Sequence, residues 1–119
     1  MTNHETLDNA LDTFEKMHEL ENGWAGKNSI CPSPDTISNA FGVYGLVLDN
    51  SDVFIAANSD GTINLGWING TKRVDIQFDR TSARVLRWDS KQCETPDVIE
   101  LHAIKFKIST LAEKVNEYF

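Results

Sequence analysis

Residues 63–78, Ile-Asn-Leu-Gly-Trp-Ile-Asn-Gly-Thr-Lys-Arg-Val-Asp-Ile-Gln-Phe, constrain this chain more than any other stretch. Asn69-Gly70 is the pair favoured in two-residue type I′ hairpin turns, where both central positions need positive φ. Apolar and polar residues alternate outward from it on both sides. A turn at that pair sets Leu65 opposite Val74 and Ile63 opposite Ile76 on one face. Asn64 then faces Asp75, and Gly66 faces Arg73, on the other. The apolar and polar sets separate under this pairing, as a sheet with one buried face requires. The same period predicts four strands, at about 53–57, 62–68, 71–79 and 83–88, with turns at Asn58-Ser-Asp-Gly61 and Asp79-Arg-Thr-Ser82.

Helical periodicity flanks the strands. Over residues 5–20, Leu7, Leu11, Phe14 and His18 step along one side, and Ala10 and Met17 widen the stripe. Gly23 is a candidate C′ residue for this helix. Ser33-Pro34-Asp35 reads as N-cap, first-turn proline and dipole-matching acid of a second helix. Ile37, Ala40, Phe41, Tyr44 and Leu48 form its apolar stripe, with Gly42 and Gly45 leaving room for a close neighbour. Thr95-Pro96-Asp97 opens a C-terminal segment in which Leu101, Ile104, Ile108, Leu111, Val115 and Tyr118 follow helical spacing. A single long helix is the reading of this segment. Ile104-Lys-Phe106-Lys-Ile108 alternates as a strand does, and Thr110 with Glu113 then makes a capping box for a shorter final helix. The predicted fold is α+β: two helices, a four-stranded antiparallel β-meander and a C-terminal helix, packed in two layers as a single domain over 1–119.

The chain carries 18 acidic and 11 basic residues, a net charge of -7. That balance argues against direct contact with DNA, RNA or anionic membrane, which rests on Lys and Arg neutralising phosphates. The sequence has no apolar run near the ~20 residues that a spanning helix needs. Its first residues have neither the basic start nor the apolar stretch of a signal peptide, so the cytoplasm is the expected location. Cys31 and Cys93 lie far apart and outside any metal-ligand spacing, and reduced thiols are expected there.

Two stretches carry a resemblance. Gly23-Trp24-Ala25-Gly26, then Pro32-Ser33-Pro34-Asp35-Thr36-Ile37 and Ala40, resemble a motif of small bacterial and phage-borne proteins. In those proteins a Trp-Asp-Gly-Tyr-Gly-Ala run precedes a Ser-Pro-Glu-Thr-Ile helix start. Asp60-Gly61 and the strand ending in Trp67, then Asn69-Gly70 and Val74 to Phe78, continue the pattern. The resemblance covers roughly residues 20–80. It implies a shared fold and a home among mobile or accessory genes, and it transfers no catalytic residue. Ala25 replaces the usual acid, and Lys27 stands where an aromatic is common.

The candidate chemistry is sparse. His4, His18 and His102 lack paired or HExxH spacing. No nucleophile elbow, Walker loop or dinucleotide motif occurs. Asp49 with Asp52, and Asp75 with Asp79, read as turn carboxylates. No cofactor and no metal is expected.

Two surfaces stand out instead. Glu5, Asp8, Asp12, Glu15 and Glu19 step by 3, 4, 3 and 4 into an acidic stripe, relieved by Lys16, which can pair with Asp12. Like charges at i, i+4 repel, so the stripe is retained at a cost of a few tenths of a kcal/mol per pair. Arg84, Leu86 and Trp88 share one face of the fourth strand, opposite Ala83, Val85 and Arg87, and have the composition of a binding hot spot.

A basic or nucleic-acid-binding protein partner matches the stripe. Ile99 and Phe106 give the C-terminal helix a second apolar side, which predicts a homodimer. The leading expectation is a non-catalytic protein-interaction module acting through the acidic helix and the Trp-bearing sheet. A second reading is an inhibitor of a nucleic-acid-binding defence machine (anti-CRISPR or anti-restriction) by acidic mimicry. A third is a small enzyme or ligand binder using the loop of Trp24 and Lys27.

Overall fold

The structure is a computed structural model that describes residues 3–48, 52–89, 91, 97–102 and 108–119, with side chains from Asn9 onward except those of 97–102. Its described elements are α1 (Asn3–His18), α2 (Pro34–Leu46), β1 (Val53–Ala57), β2 (Ile63–Asn69), β3 (Lys72–Phe78), β4 (Ser82–Asp89), β5 (Asp97–His102) and α3 (Ile108–Asn116). The strands form one antiparallel sheet in the order β1-β2-β3-β4-β5. The fold is α+β.

The alternating segments produce the strands they predict, β1 to β4, with ends displaced by one residue at most. The register of the β2–β3 hairpin differs from the expected one. Leu65 pairs with Ile76 and Ile63 with Phe78, while Asn69 pairs with Lys72. The two loop residues are therefore Gly70 and Thr71. Gly70 has φ +64° and Thr71 is not among the positive-φ residues, the pattern of a type II′ turn with glycine first. Each partner is displaced by two residues. A two-residue slip leaves every side chain on its original face, so the separation of apolar from polar residues is identical in both registers.

One face of the sheet is core. Trp67 and Val74, then Leu65, Ile76 and Val85, then Ile63, Phe78 and Ala83 lie in paired rows, and each is at most 2% exposed. Buried residues of all three helices join the same cluster: Ala10, Phe14 and Met17 of α1; Ile37, Ala40, Val43 and Tyr44 of α2; Leu111, Ala112 and Val115 of α3.

α1 thus buries Ala10, Phe14 and Met17, a stripe rotated from the one expected, and His18 is exposed at its end. Gly23 is not its C′ residue. The helix closes five residues earlier, with Glu19 and Leu20 amides donating to the carbonyls of Lys16 and Met17. In α2 the cap forms as read: the Ser33 hydroxyl accepts from the Thr36 amide at 3.2 Å. Val43 and Val47 are core, however, while Leu48 is 89% exposed and Phe41 lies at the surface against Phe14. Gly42 is the close-approach glycine, since a Cβ there would lie 2.9 Å from Ile108 Cδ1, whereas nothing lies within 4 Å of one at Gly45.

The C-terminal segment corrects the largest expectation. Residues 97–102 form β5 on the outer edge of β4, with Val85 opposite Ile99 and Ala83 opposite Leu101. α3 begins at Ile108, two residues before the expected cap at Thr110. As a strand the segment pairs its backbone with β4 and places Ile99 and Leu101 on the rows of Val85 and Ala83. Ile99 therefore belongs to a strand on the row of Val85. The second apolar side of a long helix, on which the homodimer rested, is not formed there. Phe106 and Cys93 lie outside the described residues; Cys31 is a half-buried free thiol.

Asn116 ties α3 to the end of α2. Its Nδ2 donates to the Leu46 carbonyl at 3.2 Å, and its Oδ1 accepts from the Leu48 amide at 2.9 Å. No described helix is long and apolar enough to cross a membrane.

Candidate functional site

The reverse face of the sheet follows from the same registers. Strand residues that pair directly share a face, so three rows cross it. The first is Ile68, Arg73 and Trp88. The second is Phe54, Gly66, Asp75, Leu86 and Val98. The third is Ala56, Asn64, Gln77, Arg84 and Glu100. Phe54 is 58% exposed and Ile68 44%, and Leu86 and Trp88 are half-buried. None of the described side chains in these rows belongs to the core cluster that the helices join.

The rows are built, not incidental. The Arg73 guanidinium stacks on Trp88, 5.2 Å from the ring centre, and its Nε donates to Asp75 Oδ1 at 3.2 Å. Asp75 reaches that position because its neighbour is glycine: a Cβ on Gly66 would lie 2.6 Å from the same oxygen. Glycine inside a strand commonly marks such a close approach. Arg84, Leu86 and Trp88 lie together on this face as read from the sequence. Arg73, Phe54 and Ile68 join them, and only the sheet order reveals that. Arg87 lies on the other side, stacked on Tyr118 at 5.4 Å and paired with Glu117 at 3.1 Å.

The described residues show part of the acidic stripe. Asp12 and Glu15 are exposed on α1, but Glu19 lies past the last helical residue, and the side chains of Glu5 and Asp8 lie outside the described residues. Lys16 does pair with Asp12, at 2.9 Å, and this contact raises the pKa of the lysine. The core separates the acids from the open sheet face. The two candidate surfaces are not one site.

The Trp24 loop is committed to the fold. Trp24 Nε1 donates to the Ile30 carbonyl at 3.0 Å, and the Ser29 hydroxyl bridges the Ala25 amide and the Gly26 carbonyl. The Ile30 amide donates to Ser59 at 2.7 Å, and a Cβ on Gly61 (φ +86°) would lie 3.2 Å from Ile30 Cγ2. The Trp24 loop and the Asp60-Gly61 turn therefore hold each other. Lys27 is exposed at the tip, with Asn28 beside it at φ 71°.

Among the described residues two carboxyls have displaced pKa values, both downward. The Thr62 hydroxyl and amide hold Asp60 charged, at 2.6 and 3.0 Å. The Lys91 amide, then the Thr71 hydroxyl, do the same for Asp89. A general acid at neutral pH needs the opposite displacement. Asp75 is paired with Arg73, and Asp79 accepts from the Arg80 amide in its own turn, while Asp52 is exposed and Asp49 lies outside the described residues. His102 lies on β5, not on a helix, and the side chains of His4 and His102 are outside the described set. Among the described residues no three His, Cys, Asp or Glu side chains gather as a metal site requires.

Comparison with known proteins returned no match to this chain among family models, curated proteins or solved structures.

Proposed function

We propose that the chain is a non-catalytic protein-interaction module that meets its partner through the open face of its sheet. The proposal takes the fold as two layers, helices on one side and an uncovered sheet face on the other. The observation that carries it is the row of Ile68, Arg73 and Trp88 beside Phe54 and Leu86, an aromatic and arginine cluster with Phe54 and Ile68 exposed and the other three half-buried, on a sheet whose other face is packed. Scattered apolar residues on a surface need no explanation, but a contiguous set around Trp and Arg has the composition of interface hot spots. Turn carboxylates held in the charged form support a binding role over acid–base chemistry. The resemblance to small bacterial and phage proteins supports an accessory role.

A second reading is favoured by the exposure of Asp12, Glu15 and Glu19: inhibition of a nucleic-acid-binding protein by acidic mimicry. The two separate in one experiment. Tagged protein is used to retain partners from bacterial lysate, washed at low and high salt, with Trp88→Ala and the triple variant Asp12→Lys, Glu15→Lys, Glu19→Lys in parallel. Open-face binding predicts a salt-resistant partner lost with Trp88→Ala and kept with the triple variant. Mimicry predicts the reverse, because exposed charge pairs weaken as salt rises. Nothing above background in any arm sinks both.

A further inference from the structure

We propose that Asn69 is a modification site, at which the side-chain amide is lost spontaneously through a cyclic imide formed with Gly70. The chemistry is intramolecular. The backbone nitrogen of the following residue gives up its proton, attacks the asparagine Cγ and closes a five-membered succinimide. The bond from Cγ to the side-chain nitrogen breaks, and that nitrogen leaves as ammonia with the proton. Water then opens the ring at either carbonyl. The product is aspartate or, where the chain now runs through the former side chain, isoaspartate. Glycine hinders the attack least, having no side chain and the widest choice of backbone angles.

Three places in the chain set a side-chain carbonyl before a glycine: Asn22-Gly23, Asp60-Gly61 and Asn69-Gly70. The fold restrains the first two. The Gly23 amide donates to the Ser29 carbonyl at 2.9 Å, and Asn22 Oδ1 accepts from the Cys31 amide at 3.1 Å. The Gly61 amide donates to the Asn58 carbonyl at 3.1 Å. Asp60 accepts from the Thr62 amide and hydroxyl, and a charged carboxylate is a poor electrophile. At both places the reacting atoms must first leave contacts that the native structure makes.

Asn69-Gly70 has neither restraint. Asn69, Gly70 and Thr71 are all exposed. Among the described residues, neither the Asn69 side-chain amide nor the Gly70 N–H has a hydrogen-bond partner. A Cβ on Gly70 would meet nothing within 4 Å, so the turn is open to water. The register is the reason. Asn69 closes the ladder against Lys72, and Gly70 takes the first loop position at φ +64°, where a two-residue turn gives its N–H no ladder partner. Either product puts a carboxylate beside Lys72 and makes the net charge more negative by one. Isoaspartate also adds a carbon to the backbone path where the hairpin closes, next to the pair of Ile68 and Arg73. The site does not depend on what the open face binds.

The test holds the full chain at mildly alkaline pH, folded in buffer and unfolded in concentrated urea, and follows each asparagine by peptide mapping with mass spectrometry. Enzymatic methylation scores isoaspartate. In the folded chain, conversion at Asn69 should be about tenfold faster than at Asn22, a factor that opening the two ordinary hydrogen bonds held there accounts for. In urea the two should convert at similar rates, with Asn22 gaining most. Asn69→Gln, whose longer side chain cannot close the five-membered ring, should remove the fast isoaspartate signal. Equal, slow conversion at both sites of the folded chain overturns the proposal, since Asn69 is then as protected as Asn22. A preference for Asn69 that persists in urea overturns it as well, because the fold is then not its cause. A fast signal that survives Asn69→Gln puts the reaction elsewhere in the chain.

Discussion

The two faces of the sheet are made by the same strands, yet they differ in every respect that chemistry can vary. Toward the helices, β2, β3 and β4 present Trp67, Val74, Ile76, Phe78 and Val85, all at most 1% exposed. Away from them, the alternate residues include an arginine stacked on a tryptophan, an aspartate lying over a glycine, and a phenylalanine 58% exposed. Each core residue is defined by volume, and its neighbours accept any apolar shape that fills the space. Each open-face residue is defined by its partner: Asp75 needs Gly66, and Arg73 needs Trp88. A face built by partnership and not by filling is one that stability alone does not call for.

The comparison can be broken first at its tryptophans. Trp67→Ala empties the centre of the core and should cost about 3–5 kcal/mol. Trp88→Ala gives up a partly exposed cation–π contact and should cost about 1 kcal/mol. Urea unfolding of both variants measures the difference directly, and equal costs would erase the distinction between the faces. Gly66→Ala is a finer probe. The added methyl displaces the Asp75 carboxylate, the end of a flexible side chain, so stability should move by less than about 1 kcal/mol. Partner binding should still fall, because Arg73 loses its anchor.

The smallest expected effect is on pH dependence, at the β1–β2 turn. Asp60 has a lowered pKa in the fold, so its contribution is present above the unfolded value, about 3.9, and is lost as pH falls through the lower folded value. Acid titration of stability between pH 5 and 2 should be shallower in Asp60→Asn, which keeps an acceptor for Thr62 without a charge. An unchanged slope would mean that the Thr62 contacts do not hold the carboxylate.

Much of this arrangement was legible in the residues. Alternation located four strands because one face is buried and the other wet, which is the condition that writes period two into a sequence. It could not locate the register, since slipping by two residues costs the pattern nothing, and the turn was decided by Gly70 taking the first loop position. The C-terminal segment misled for a different reason. Leu101, Ile108, Leu111 and Val115 fit a helical spacing, but Ile99 and Leu101 against Glu100 and His102 fit a strand equally well, and a first-turn proline suits either. What separates them is the pairing with β4, which residues 82–87 supply and the segment alone does not display. The same holds for the site. Arg84, Leu86 and Trp88 were readable as one strand face, whereas Phe54, Ile68 and Arg73 became part of the cluster only when β1 and β2 took their places beside β3.

The most direct test of the open face is ¹⁹F NMR of protein labelled with 5-fluorotryptophan, which separates Trp24, Trp67 and Trp88. In the free protein, the Trp67 resonance should be insensitive to exchange of H₂O for D₂O, and the Trp88 resonance should respond. On addition of the partner retained from lysate, Trp88 should shift while Trp24 and Trp67 stay in place. A partner that moves Trp24 and leaves Trp88 unchanged would contradict the account and put recognition in the loop.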